Sequence, residues 1–539
     1  VKNFAGKRKP VFPQFTETKI AMKKFGALLD CSRNAVMKTE EVKNLICMLE
    51  KLGYNCLMLY TEDTYTLDNE PFFGYLRGRY KKDELRQLDV FGRAHGIELI
   101  PCIETLGHLE KIFEWKEYAP INDCDGILLV DDENTYRLIE KMFASCAECF
   151  SSRIVHIGMD EAHALGLGKY LTRHGYRDRF DIFCKHLDRV AKIAEKYGFR
   201  PIIWSDMFFR IVLGGEYVCE EGKIPEKIAE RVPENVSVAY WDYFSADERT
   251  YEKMLDKHSV FRREIWFAGG AVKTCGFHSA NAISIDRLGK SIKACLKKNI
   301  ENIIITMWSD GGAECPAAAV LPSLTYAAEC VRGNFGVDGA KSVFEKLFDV
   351  HWDDFMLCDL AVTDLPKQDD IGTGAKEMLY SDYFCGRFQN YVSDDGRERR
   401  AYAEYAEKFH AAERGGGEFR LMFAYYGALC RVLSVKYDLG YRSRKFYREG
   451  NAAGLKSLLS EYRKTEKALK AFISAFEKMW FYFHKPFGFE THEMRLGGVL
   501  LRTESCRRRI SEYLRGKTES IPELEEELLA RPDGCENGC

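Results

Sequence analysis

Two adjacent carboxylates, Asp160 and Glu161, close an apolar run in RIVHIGMDEAH, residues 153–163. Such a pair suits acid–base chemistry, in which one carboxyl is protonated while its neighbour stays ionised. The same letters contain DEAH, a signature of ATP-driven nucleic-acid motors. A motor also needs GxxxxGK[ST], whose backbone N–H groups and lysine cradle phosphates. The nearest stretch, SIDRLGKS (284–291), has Ser284 in place of the first glycine and reads as the start of a helix. FGVDGAKS fails as well, because Ala340 precedes its lysine. The acid–base reading therefore stands, beside a plainer alternative in which Asp160 caps the next helix and Glu161 is solvated.

Other residues able to do chemistry recur at the ends of short apolar runs: LYTED, ETLGH, HIGMDE, IIWSD, AYWDY and TMWSDGGAE. The runs FGALLD, NCLMLY, IELIPCI, RIVHIGMD, RPIIWSDMF, VSVAYWDYF, EIWFAGGA and NIIITMWSD alternate with amphipathic helical stretches such as TEEVKNLICMLEKLG. Most are continuously apolar, as parallel strands covered by helices are. About eight strand–helix units close a TIM barrel, whose strand ends converge on one active-site mouth. A doubly wound sheet gives a similar alternation but has little use for acidic and aromatic groups at every strand end. The expected architecture is α/β: an N-terminal segment (1–24), a (β/α)8 TIM barrel (25–335) and a mostly α-helical C-terminal domain (336–539). Within that domain, KPFGFETHEMRLGG carries Pro and Gly and predicts a projecting structured loop.

The balance of Lys+Arg 79 against Asp+Glu 82 leaves no net basicity to attract nucleic acid. No stretch is long and apolar enough to cross a bilayer. The 19 cysteines are scattered rather than framed, which favours a reducing cytoplasm. Cys146 and Cys149 form a CxxC inside a helix-like run, read as two ordinary helix cysteines rather than a zinc clip, and the tail DGCENGC as a disordered end. The chain opens VKNFAGKRKP, without an initiator Met or an apolar signal core, which leaves room for an upstream segment.

HIGMDEAHALGLGKY, together with LLDCSRNAV, PFFGYLRGRY, PCIETLGH, IIWSDMFFR, AYWDY, FAGGA, TMWSDGGAE and KPFGFETHEMRLGG, resembles the β-N-acetylhexosaminidases of glycoside hydrolase family 20, in the hexosaminidase-D-like branch. The resemblance covers nearly the whole chain. It implies substrate-assisted hydrolysis of terminal β-linked GlcNAc or GalNAc with retention, through an oxazolinium intermediate and with no cofactor or metal. Asp160 would orient the 2-acetamido group and stabilise the charge on its nitrogen, and Glu161, its pKa raised by partial burial and the Asp160 charge, would act as acid and then base. Trp204, Trp241 and Trp308 would wall the sugar, since pyranose C–H faces bury well against aromatic rings. His108, with Glu62 or Asp63, would support the acid. Asp310, assisted by Glu314, would bind sugar hydroxyls, and Tyr240 or Tyr243 would donate to the acetamido oxygen. His163 is expected to pack in the following loop.

Two departures stand out against the family pattern. Phe25–Gly26 takes the place of an Arg–Gly that grips O3 and O4, leaving Arg33 or Asp30 to replace it. Val272 and Thr274 stand where relatives carry tryptophans. These keep a second class of reading open, a catalytically weak or inactive sugar-binding relative. The expected partner is a small oligosaccharide or glycan fragment, not nucleic acid or membrane, and the helical domain with its RLGG stretch makes a homodimer an open expectation.

Overall fold

The computed structural model describes residues 22–218, 221–274, 276–361 and 374–529. The opening VKNFAGKRKP and the DGCENGC tail lie outside the described residues. Eight parallel strands run in sequence order around a closed barrel: β1 (Lys24–Asp30), β2 (Cys56–Tyr60), β3 (Glu98–Cys102), β4 (Ile154–His156), β5 (Arg200–Trp204), β6 (Ser237–Trp241), β7 (Ile265–Gly270) and β8 (Asn302–Met307). β1 closes the ring against β8, with Ala27 opposite Ile305, and pairs on its other side with β2.

Side-chain parity sorts each strand into two cores. Leu28, Met58, Tyr60, Ile100, Ile202, Trp204, Ala239 and Ile304 point inward and fill the barrel. Their neighbours, such as Leu29, Leu59, Leu99, Ile203 and Ile305, point outward into the layer beneath the helices. Helix Thr39–Leu52 covers that layer with Val42, Leu45, Ile46, Leu49 and Leu52, spaced as one helical stripe. Burying each such side chain stabilises the fold by about 1.5–3 kcal/mol. Gly53, in the left-handed region at φ 84, ends that helix.

Helices follow from Val337 onward, the longest being Arg397–Gly415, Arg420–Lys436, Ala452–Phe483 and Phe489–Leu514. They share one apolar core with the outer layer of the barrel. They also brace the barrel mouth: Asn34 Nδ2 donates to Gly488 O at 2.9 Å, Tyr425 donates to Glu314 O at 2.7 Å, and His492 Nε2 lies 2.9 Å from Gly312 O. The stretch expected to project as a loop does not. Lys485–Gly488 is a tight connection pressed onto the barrel, where Lys485 N donates to Val36 O. From Phe489 the chain is helical, Arg495–Gly498 included, because His492, Leu496 and Thr503 supply a buried helical stripe. Among the described residues no helix is long and apolar enough to cross a membrane.

Candidate active site

The ladder of β4 ends at His156, four residues before the carboxylate pair. Between them Gly158 (φ 65) and Met159 (φ 71) take left-handed conformations, and Glu161 follows at φ 49. Gly158 has no alternative, because a Cβ there would fall inside the carboxyl of Glu104. His156 Nδ1 accepts the Gly158 N–H at 3.1 Å, and Glu104 Oε2 accepts that of Met159 at 3.2 Å. Burial pushes the His156 imidazole down to about 3, so it serves as a neutral acceptor. Gly158→Ala combines a disfavoured φ with overpacking and is expected to cost about 2–4 kcal/mol. Urea unfolding checks it, and an unchanged midpoint would show that this turn is not rigid.

The turn sends Asp160 inward and leaves Glu161 41% exposed at its side chain, without the burial expected of it. His108 Nε2 stands 3.2 Å from Asp160 Oδ2 and 3.8 Å from Glu161 Oε2. Burial alone would discharge both members of the inner pair. The charge of His108 outweighs it and holds Asp160 below the usual carboxylate range. Burial likewise opposes the His108 cation, but Asp160, then Glu104, raises it to about 10. The other Asp160 oxygen, Oδ1, is buried without a hydrogen-bond partner. Asp160 is thus no helix cap; the next helix, Lys169–His174, begins after Gly168. Donor atoms of His108, Asp160 and Glu161 lie within 4.8 Å of one another.

Around this pair the mouth is aromatic and cationic. Trp308 sets its ring edge-on to Tyr60 at 4.8 Å and donates Nε1–H to the Tyr243 hydroxyl at 2.9 Å. Tyr243 stacks on Trp241 at 5.5 Å. The Arg33 guanidinium lies 5.0 Å from both the Tyr60 and Trp308 ring centres, 3.1 Å from Asp310 and 3.4 Å from Glu62. Burial pushes Glu62 up to about 7 against the pull of Arg33. Trp204 is the floor rather than a wall: it is 2% exposed, against His156 at 4.1 Å and beneath Trp308 at 6.2 Å.

The structure differs from the sequence reading at several residues. Tyr240 points outward by strand parity, donates to Asp242 at 2.7 Å and packs on His258, so Tyr243 alone of the two faces the mouth. Glu314 turns away to the helical part, meeting Lys376 at 2.9 Å and Arg495 at 3.5 Å. His108 is not joined to Glu62 or Asp63: Glu62 meets Arg33, and Asp63 meets Arg77 at 3.0 Å. Phe25 lies one residue into β1, at the end of the barrel opposite the mouth, stacked on Tyr54 at 4.0 Å. It therefore replaces no sugar-gripping arginine, and Arg33 occupies the mouth. Val272 is buried behind Tyr243, Thr274 is half-buried, and the His163 side chain is exposed rather than packed. Every described cysteine is unbonded, Cys146 and Cys149 among them.

Sequence reasoning passed over Glu104, Asp206 and Arg77. Glu104 is fully buried, and burial with the Asp160 charge pushes its carboxyl well above the ordinary range. Asp206 accepts the Glu161 N–H at 3.1 Å. Both sit just past strand ends, in ETLGH and IIWSD, where the sequence already showed polar groups.

"Glycosyl hydrolase family 20, catalytic domain" matches residues 25–260, and "Glycoside Hydrolase 20C C-terminal domain" matches residues 353–534. Hexosaminidase D of Homo sapiens is 22% identical over 372 residues, covering 64% of this chain and 70% of that protein. Hexosaminidase D of Bos taurus is 23% identical over 239 residues, covering 41% and 64%. A solved β-N-acetylhexosaminidase from Bacteroides fragilis is 15% identical over 61% of this chain and 71% of its own, with a TM-score of 0.46. The matched regions take in both the barrel and the helices, and the chain belongs to glycoside hydrolase family 20, in its hexosaminidase-D-like branch.

Proposed function

We propose that this protein is an exo-acting, retaining β-N-acetylhexosaminidase that removes terminal β-linked GlcNAc or GalNAc by substrate-assisted catalysis. The observation that carries the reading is the division of labour in the pair. Asp160 is ionised, fixed through Oδ2 by His108, and keeps a buried, unpartnered Oδ1. That atom suits the N–H of a 2-acetamido group, and its charge favours the cation that forms when the acetamido oxygen attacks the anomeric carbon. Glu161 is exposed to the leaving group and to water, as a group must be that gives a proton and then takes one. Tyr243 is the hydroxyl for the acetamido oxygen, Trp241 and Trp308 cover the ring, and Arg33 with Asp310 meets its hydroxyls. Unbonded cysteines fit a cytoplasmic setting.

The test compares aryl β-GlcNAc, β-GalNAc and β-glucoside substrates, with and without a thiazoline mimic of the oxazoline. Expected are turnover of at least one N-acetyl substrate, competitive inhibition by the thiazoline, and no turnover of the glucoside. Glucoside hydrolysis insensitive to the thiazoline would refute the mechanism, and inertness toward both N-acetyl substrates would refute the activity.

A further inference from the structure

Glu161 has to place its carboxyl against a glycosidic oxygen, yet little holds that carboxyl directly. It stands 3.8 Å from His108, too far for a hydrogen bond, and is 41% exposed. Its position is therefore set from the main chain. There Glu161 adopts φ 49, a left-handed conformation disfavoured for any residue with a Cβ. Something must hold the peptide in it.

We propose that Asp206 is the positioning residue for Glu161, its buried carboxylate gripping the Glu161 N–H so that the acid–base carboxyl stays aimed at the leaving group. Asp206 opens the short helix that follows β5 and has no exposed surface. Its Oδ2 accepts the Glu161 N–H at 3.1 Å, and Arg210 Nε lies 3.5 Å from the same oxygen. Arg210 is in turn fixed by donating to Gly215 O at 3.1 Å and by lying over the Tyr217 ring. The second Asp206 oxygen, Oδ1, is buried with no hydrogen-bond partner. A fold gains nothing from a half-satisfied carboxylate at that depth; an apolar side chain would pack there at lower cost. Burial and the nearby Asp160 charge raise this carboxyl to about 7, opposed by the Glu161 N–H and Arg210. A group retained against that penalty, and bonded to the backbone of the acid–base residue, is explained by what it holds. Asp206 has no exposed surface to offer a sugar, and its one backbone partner here is Glu161, so it acts as a positioning residue.

The inference rests on the acid–base role proposed for Glu161, and the assay separates the two. The full chain is tested on phenyl β-GlcNAc, whose leaving group needs a proton, and on 2,4-dinitrophenyl β-GlcNAc, whose leaving group does not. Asp206→Ala is expected to lose on the order of 10²-fold in kcat/KM on the phenyl substrate, the scale of a 1 Å misplacement. On the dinitrophenyl substrate the loss should stay under about fivefold, since proton donation no longer limits the rate. Asp206→Asn keeps an oxygen acceptor and should preserve the wild-type ratio between substrates. If Asp206→Ala does not fold, Asp206→Glu replaces it: moving the carboxylate by one methylene should shift Glu161 and open the same gap. Equal losses on both substrates, or an Asp206→Asn as selective as the alanine variant, would mean a purely structural residue and overturn the inference. Glu161→Gln runs alongside. If it shows the gap and the Asp206 variants do not, only this inference fails; if Glu161→Gln lacks the gap, the acid assignment fails first.

Discussion

Glu161→Gln is expected to lower kcat/KM on a β-GlcNAc substrate with a poor leaving group by about 10²–10⁴-fold, the range of a general acid. The amide fills the same space and keeps the backbone contact with Asp206, so the change isolates the proton. Neither of the groups packed against the inner pair is placed to supply it. His108 is tied to Asp160, and Glu104 is fully buried. With 2,4-dinitrophenol leaving, departure needs little protonation, and the first step should fall far less. Water must still be deprotonated to open the oxazolinium, so the variant should show a burst of dinitrophenol followed by slow turnover. The measurement is kcat/KM against leaving-group pKa, with rapid mixing for the burst. A uniform loss across leaving groups would remove Glu161 from the acid role.

The sequence carried the barrel well, and the reason is physical. Parallel strands buried on both sides must be apolar throughout, so NIIITM and NCLMLY could hardly be anything else. Strand ends break that pattern only where the mouth uses polar groups, and Asp160, Glu161, His108 and Trp308 all appear there. Parity at the last strand residue was harder to read. Tyr240 and Trp241 are adjacent and similar in type, yet one serves the outer core and the other the mouth, and only the β6 register decides which. Pairing between distant loops left no trace in spacing. Glu314 looked like a partner of Asp310 until Lys376 and Arg495, from the helical part, were placed beside it. Phe25 misled because it was matched to a pair at a strand end, although FGALLD begins with it and β1 carries it to the far end of the barrel. Asp206 and Glu104 were visible as acids at strand ends, but their depth was not. Burial turns an ordinary acid into a holder of backbone N–H groups, and burial is a property of the assembled barrel.

Asp160→Asn is expected to be as damaging as the loss of the acid, by about 10²–10³-fold in kcat on substrates of every leaving group. The change conserves shape and removes the charge that opposes the developing oxazolinium cation, so better leaving groups offer no rescue, in contrast with Glu161→Gln. It should also leave a signature at His108. That imidazole is raised to about 10 chiefly by Asp160, against burial that would lower it. Without the carboxylate, His108 should titrate near or below its ordinary value of about 6.5. Stability follows with a definite sign. A histidine whose pKa is raised on folding stabilises fully below about pH 6.5, and the contribution fades as pH rises toward 10. Asp160, lowered on folding, stabilises above its unfolded pKa near 4 and loses that contribution as pH falls. The wild type should therefore lose stability between pH 6.5 and 10 with a slope of up to about 1.4 kcal/mol per pH unit from this pair. In the variant that part of the slope should vanish. Urea unfolding at pH 6, 8 and 10 and an NMR titration of His108 measure both. A His108 that still titrates near 10 in Asp160→Asn would show that Glu104 rather than Asp160 holds the proton, and would leave Asp160 without its clamp.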